Sequence, residues 1–542
     1  MNMNPTEQAH QFIEEEQQFH LGFLPTEQSS PLTRGLDKVF AGSSAAGIRM
    51  LQRVDLNVLE MARRILDGEP FAALVDCGTE ALRRGHKLVF SGCGATGRLS
   101  ILLEAMWRGV GGEGVFSIMT GGDHALIRSV EFFEDYAVFG RRQVADLGMK
   151  KGDVLVAITE GGETSSVLGT VAEATARGCR AFLLFNNPAD LLREKLARCR
   201  EAIDNPAVTV LDLSCGPMAV AGSTRMQATT SEQLIASAAL ELIARRLAGD
   251  ETPPPDFAAA FEDLLGRLAS DDAIAAMAEH IEFEEDVYRH QGLITYFADE
   301  FLLDIFTDTT ERSPTFMIPP FRKSDDEVSP QSWAFVKNPL LPTPEVWRRV
   351  LKREPRCLEW TPADYAAMGA ADRIVVSPPR LGARELMKFV VGNEDLPCRR
   401  TVTPNAAVMI GQGEGLATAF ERHAAPYQQR RKLDMPPRGG VPTRLHLMER
   451  LGIKLAMNTI STGTMARMGR LAGNWMSHVD VSNKKLLDRG TRLVAELAGV
   501  DYEKACTAIF EAVAELQALP PGAGKPSPVQ QALARCEGRD SQ

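Results

Sequence analysis

Much of what advertises chemistry in a protein is missing from this chain of 542 residues. Its nine cysteines form no C-x-x-C pair and no Cys/His cluster at metal-ligand spacing. An odd, scattered set of this kind fits free thiols in a reducing cytoplasm, and neither a metal nor any other cofactor is expected. The histidines show no triad or ligand spacing, and His124 and His478 are expected to be structural. Positive charge is in deficit: the net charge is −11 and the pI about 5.5, which argues against nucleic acid or an anionic membrane surface as a partner. No apolar run approaches the length of a membrane span. Residues 1–18 are polar and acidic, so no signal peptide is expected and a cytoplasmic location is.

What remains is an ordinary globular composition, spread over a length that suits about three or four domains. The rest of the chain is arranged around Ser91-Gly92-Cys93-Gly94-Ala95-Thr96-Gly97-Arg98. The apolar run Leu88-Val89-Phe90 before it reads as a buried parallel strand, and residues 99–107 after it read as a helix. Strand, Gly-rich turn and helix together make an anion cradle. Glycine lets the backbone approach closely, the free N–H groups at the helix start face the charge, and Thr96 adds a hydroxyl at the N-cap. By pattern alone, a tight βα turn with no ligand stays open.

Residues 1–25 read as a loose arm, and 26–70 and 72–84 as helices. After the Gly-rich turn, strands at 115–119, 153–158, 181–185 and 208–213 alternate with helical segments, among them 125–136. The expected result is a parallel sheet with helices on both faces. A second polar turn, Thr159-Glu160-Gly161-Gly162-Glu163-Thr164, follows the third strand. A third polar loop, Gly222-Ser223-Thr224-Arg225-Met226, opens a helix running to about residue 248. The Pro-rich stretch 250–255 reads as a linker. A second α/β pass follows, with strands expected at 292–297, 373–376 and 406–410. A long helix is expected from 443 to about 475, and a helical tail over 486–535 with a break at 520–528.

Two of these stretches, 91–98 and 222–226, together with Gly121-Gly122 followed by Glu131-Phe132-Phe133-Glu134-Asp135, resemble three motifs of one branch of the sugar isomerase (SIS) family. That branch contains the N-acetylmuramic acid 6-phosphate etherases and the glucokinase regulatory protein. A fourth motif is similar to the signature helix of the same branch: Asn458-Thr459-Ile460-Ser461-Thr462-Gly463, Gly473-Asn474-Trp475-Met476 and Ser482-Asn483-Lys484-Lys485-Leu486. In single-module etherases the fourth motif follows the third directly, whereas here residues 227–457 intervene. The layout looks most like that of the glucokinase regulatory protein. The resemblance implies an α/β fold of two doubly wound parallel-sheet SIS modules forming a pseudo-dimer, with a small C-terminal helical domain. The expected division is an arm and helix over 1–39, a first module over 40–250, a degenerate second module over 255–485 and a helical cap over 486–542. Five strands are expected in each module.

In the second module, Phe297-Ala298-Asp299-Glu300-Phe301 stands in place of the Gly-rich turn. With no glycine and two carboxylates it cannot cradle phosphate. Yet Asp308-Thr309-Thr310-Glu311-Arg312-Ser313-Pro314 resembles the etherase segment that carries a glutamate, while in the first module Met106 stands at that place and Glu104 lies on the wrong helix face. The resemblance thus implies one composite site. Its sugar phosphate would be held by Gly94, Ala95, Thr96, Thr159, Gly161, Gly162, Thr164, Ser223, Thr224 and Lys485, with Glu134 as base and Glu311 as acid. Without the flanking motifs, the glutamates and Lys485 would read as solvated charges and the hydroxyls as helix caps. The acidic second loop departs from the family's Ser/Thr-rich pattern. A carboxylate about 4 Å from a phosphate costs on the order of 4 kcal/mol at an effective dielectric near 20, so Glu160 and Glu163 must turn away or the ligand must differ. Met218 is a further departure, at a place where the family usually has Glu. The implied activity is cleavage of the lactyl ether of a phosphorylated amino sugar. One alternative is a non-catalytic sugar-phosphate sensor with a sugar kinase as its partner, and a second is a sugar-phosphate isomerase.

Overall fold

The computed structural model describes residues 3–130, 132–435, 439–481, 483–519 and 526–538. The expectations for Glu131, Ser482 and residues 520–525 lie outside this set.

Five strands form the first sheet: β1 (Leu88–Gly92), β2 (Val115–Met119), β3 (Val154–Ile158), β4 (Arg180–Phe185) and β5 (Val208–Asp212). Their order is β2-β1-β3-β4-β5, and every pair is parallel. Both β1 and β3 are buried at every position. Helices must therefore cover both faces, and the turns that leave the C-terminal ends of these strands open onto one edge.

The second sheet holds β6 (Leu293–Phe297), β7 (Ala334–Lys337), β8 (Asn405–Ile410) and β9 (Gln429–Leu433) in the order β7-β6-β8-β9, again all parallel. Among the described residues it repeats the first sheet's order with four strands, where five are expected. Residues 434–446, where a fifth would fall, contain Pro436, Pro437 and Pro442 together with Gly439 and Gly440, and proline cannot donate to a strand ladder. The strand expected at 373–376 is the short helix Asp372–Val376. Of its apolar residues only Ile374 is buried, against Phe133, Phe139 and Tyr365, while Val376 is 83% exposed. That is no pattern for a central strand.

Three other expectations are corrected. The N-terminal arm is a helix, Pro5–Glu15. Asn4 and Glu7 close a capping box at its start, and Phe12 and Ala9 pack it against the helix Tyr502–Gln517. The segment 125–136 is not one helix but two short 3₁₀ turns, Asp123–Leu126 and Phe133–Asp135, with Phe132 in left-handed conformation between them. The long helix of the second module is Leu447–Arg467. It ends before Gly469, and a short hairpin pairs Leu471–Ala472 with Trp475–Met476.

The two modules share one continuous apolar core. The helix Gly94–Arg108 packs on its counterpart Leu302–Phe316, and the helix Gln227–Leu247 packs on Leu447–Arg467. Buried charge crosses the same boundary. Arg225 donates to Asp308 (2.9 Å), Ser461 (2.9 Å) and Thr462 (3.1 Å), and Arg312 bridges Asp308 (2.8 Å) and Glu284 (2.9 Å). Glu104, on the wrong face for the site, has a structural use. It receives Arg108 (2.9 Å) and Arg353 (3.0 Å) and pairs with Arg356, so it clamps the 353–356 segment of the second module to the first sheet.

Candidate active site

A cleft of about 680 Å³ opens at the C-terminal edge of the first sheet, the place where open α/β sheets bind ligands. Residues from the whole chain reach it: Gly94 and Ala95 from the turn after β1, Glu134 from the loop after β2, Glu160 and Thr164 after β3, and Ser223 and Thr224 before the 227–247 helix. Glu311 comes from the second module and Lys485 from the C-terminal helix Lys484–Ala498.

Packing explains the turn. A Cβ on Gly92 would lie 2.4 Å from the Thr96 carbonyl carbon, so only glycine lets β1 pass this close to the helix it feeds. Gly94 has φ +55° and open space where a side chain would project. The first-turn N–H groups have no partner within their own helix and are available to an anion. Thr96 does not line the cleft. Its hydroxyl is occupied with Cys93, accepting from the N–H (3.0 Å) and donating to the carbonyl (2.9 Å), as a cap.

The second loop divides in the same way. Thr159 is fully buried and donates to Thr164 (2.9 Å), so Thr164 is the hydroxyl that reaches the cleft. Gly161 and Gly162 lie behind it. The Gly161 carbonyl accepts from Asn187 (2.9 Å), and a Cβ on Gly162 would meet Leu192 at 2.4 Å. Glu163 turns away from the cleft and accepts from the Lys485 ammonium at 2.5 Å, which holds its carboxyl below the ordinary glutamate range against the effect of burial. Glu160 does face the cleft. Burial pushes it up to about 7, and Glu311 acts in the same direction. The two acidic residues are thus accommodated differently, one paired and one protonated below about pH 7. Met218 is buried core, its backbone bridged to residues 28–30.

Lys485 belongs to a buried charge cluster that sequence reasoning missed. Glu27, 2% exposed, accepts from Arg489 through both oxygens (2.9 and 2.8 Å) and from Arg492 (3.1 Å), and it lies 3.9 Å from Lys485. Arg492 continues to Asp488 (2.9 Å). Three cations and three carboxylates balance, and the surrounding guanidinium and ammonium groups bring Glu27 down to about 2 although burial opposes it. Apart from the i, i+4 pair Asp488–Arg492, these contacts join partners hundreds of positions apart, and no local pattern announces them.

The two glutamates converge as the resemblance implies, each with a neighbour not foreseen. Asn483 caps the 484–498 helix by accepting from the Leu486 N–H (2.8 Å), and its amide donates to Glu134 (2.8 Å). Arg98, fully buried at the end of the Gly-rich motif, forms an ion pair with Glu311 and donates to the Leu126 carbonyl (2.9 Å). Both Arg98 and Asn483 stand inside the sequence motifs, so the signal was present. Among the described residues no group of three or more His, Cys, Asp or Glu could hold a metal ion, and no helix is long and apolar enough to cross a membrane.

A parallel sheet with a Gly-rich turn, hydroxyl-bearing loops and a facing helix contributed by a second copy defines an SIS module. Comparison with known proteins agrees. Residues 72–175 match the family model of the glucokinase regulatory protein N-terminal SIS domain. N-acetylmuramic acid 6-phosphate etherase of Yersinia pestis (strain Pestoides F) is 31% identical over 218 residues, covering 40% of this chain and 68% of the etherase. N-acetylmuramic acid 6-phosphate etherase 1 of Bacillus licheniformis is 29% identical over 219 residues, covering 40% and 67%. Among solved structures, tagatose-6-phosphate ketose/aldose isomerase from Escherichia coli aligns over 80% of this chain and 96% of its own, with a TM-score of 0.44 and 12% identity. The chain belongs to the SIS family, in the branch of the N-acetylmuramic acid 6-phosphate etherases and the glucokinase regulatory protein.

Proposed function

We propose that the protein binds a phosphorylated amino sugar in this cleft, in the cytoplasm, and cleaves its lactyl ether as the etherases do. The observation that carries the reading is the meeting of Glu134 and Glu311, from opposite modules, in one cleft with the Gly94–Ala95 turn, Thr164, Ser223 and Thr224. The phosphate is held by the turn N–H groups and the three hydroxyls. Glu134 takes the proton from C2 of the sugar. As the C3–O bond breaks, Glu311 gives a proton to the departing lactate oxygen, and water then adds at C3 of the unsaturated sugar. Two carboxyl groups placed in one cleft suit a base and an acid acting on one substrate. Incubation with N-acetylmuramic acid 6-phosphate and an assay for D-lactate tests the reading. Tight binding of the sugar phosphate without lactate release would favour instead a sensor that partners a sugar kinase, the alternative that the glucokinase regulatory protein match supports.

Glu160 makes binding pH-dependent. It is neutral below about 7 and carries a charge above it, so affinity for N-acetylglucosamine 6-phosphate should fall between about pH 6 and about pH 8. In Glu160→Gln the fall should shrink to what the phosphate's own titration causes, as read by calorimetry at both pH values. An identical profile in wild type and variant would refute a role for Glu160.

Glu163 offers a separate test. Its removal leaves the Lys485 charge free to meet the phosphate, so Glu163→Gln should tighten the same ligand about fivefold, or about 1 kcal/mol. The gain should vanish in the double variant with Lys485→Met. A gain that persists there would show that Glu163 acts on the ligand directly.

A further inference from the structure

A second cleft, of about 300 Å³, is built from the counterparts of the first. Asp299 and Glu300 after β6 take the place of the Gly-rich turn. Arg444, Leu445 and His446, before the 447–467 helix, take the place of Gly222–Thr224. Met106, on the 94–108 helix, takes the place of Glu311. The parts are the same and the chemistry is exchanged: backbone N–H groups and hydroxyls give way to long cationic side chains.

Some of that charge is already matched. Arg349 binds both oxygens of Asp299 (2.7 and 2.6 Å), and Asn338 donates to the same carboxylate (2.8 Å). Other charge is matched only in part. Arg450 pairs with Asp304, yet its Nε has no hydrogen-bond partner among the described residues, and neither has the Asp304 Oδ1, on a side chain 1% exposed. Lys352 and Arg444 are exposed at the cleft. The Arg444 guanidinium forms a long ion pair with Asp250 (3.7 Å) and its backbone N–H donates to Glu241 (3.1 Å), while no ion pair involves Lys352 among the described residues. Glu300 is outnumbered there. Apolar Leu102, Met106 and Leu303 complete the wall.

We propose that this second cleft binds a small organic anion, held by Lys352, Arg444 and Arg450, and that its occupancy is transmitted to the first cleft. With Met106 where the first cleft has Glu311, the second lacks a facing pair of carboxylates and binds without reacting. The route of transmission is physical. The 94–108 helix begins at the first cleft with Gly94 and ends at the second with Met106, while the 302–316 helix begins at the second with Leu303 and ends at the first with Glu311. The two helices pack on each other. A ligand that shifts either one is felt at both ends, and the coupling is reciprocal. The inference does not depend on lyase activity.

The full chain is titrated calorimetrically with 3-phosphoglycerate, which carries both a phosphate and a carboxylate, and in parallel with inorganic phosphate and with D-lactate, which separate the two groups. Wild type should bind 3-phosphoglycerate. Lys352→Gln with Arg444→Gln, both exposed and harmless to folding, should weaken it about tenfold or more, while Ser223→Ala in the first cleft should not. Saturating 3-phosphoglycerate should change the affinity for N-acetylglucosamine 6-phosphate about fivefold, within the usual range of coupling between sites. Absence of binding by all three probes, or binding that follows Ser223→Ala, would overturn the site. An unchanged sugar-phosphate affinity would overturn the transmission.

Discussion

Replacing Glu134 or Glu311 by Gln should each reduce lactate release by about 10²–10⁴-fold, the usual contribution of a positioned acid or base. Sugar-phosphate affinity should stay within about threefold, because the groups that hold the phosphate are elsewhere: the turn at Gly94, Thr164, Ser223 and Thr224. The double variant should be little worse than either single one, since both groups act on one transition state. The two roles can be separated. A substrate analogue with a halide at C3 leaves without protonation, so it should restore turnover in Glu311→Gln but not in Glu134→Gln. Restoration in Glu134→Gln alone would exchange the assignments, and full lactate release from Glu311→Gln would remove Glu311 from the chemistry. Ser223→Ala should do the reverse of these variants, weakening binding with little effect on the bound reaction. Thr96→Val should act indirectly, through the cap it loses at Cys93.

Glu27→Gln should destabilise the protein by about 3–5 kcal/mol, the usual result of breaking a buried ion pair from one side. It removes the charge that Arg489 binds through both oxygens and leaves Arg492 only Asp488 and Lys485 only Glu163 as counter-charges. Titration gives a consistent size. With Glu27 brought from 4.5 to about 2 in the fold, linkage assigns it about 3 kcal/mol. Because the folded value is the lower one, this stability is fully present above about pH 4.5 and is lost as pH falls towards 2. Hydrogen exchange should reveal the loss first in the 484–498 helix and in residues 21–30, which Glu27, Asp488 and Arg492 tie together. If these segments exchange no faster in the variant, the cluster is not what docks them.

The parts of the site that could be read from sequence are those in which a local pattern fixes the backbone. The Gly-rich turn and the alternation of strands and helices needed only short-range rules, whereas Glu311 rests on the resemblance of residues 308–314 to the etherase segment. The direction of a side chain was not legible. Thr96, Thr159 and Thr164 look equivalent in sequence, yet the hydroxyls of Thr96 and Thr159 are spent on neighbours and only Thr164 faces the cleft. The fate of the acidic loop depended on partners far along the chain: Lys485 lies 322 positions from Glu163. Some misses were avoidable. Asn4-Pro5-Thr6-Glu7 is a capping signature, and the prolines of residues 434–446 argue against a fifth strand.

The covalent joining of the two copies has a further consequence. In a symmetric homodimer one codon specifies both members of every equivalent pair, so a substitution that disarms one cleft disarms the other. Here Met106 and Glu311 occupy matching places on matching helices but are encoded separately. The fused chain is therefore free of the rule that its two halves must change together. Selection can keep one reaction centre intact while the other drifts, under no constraint from its twin except the shape of the surface they share.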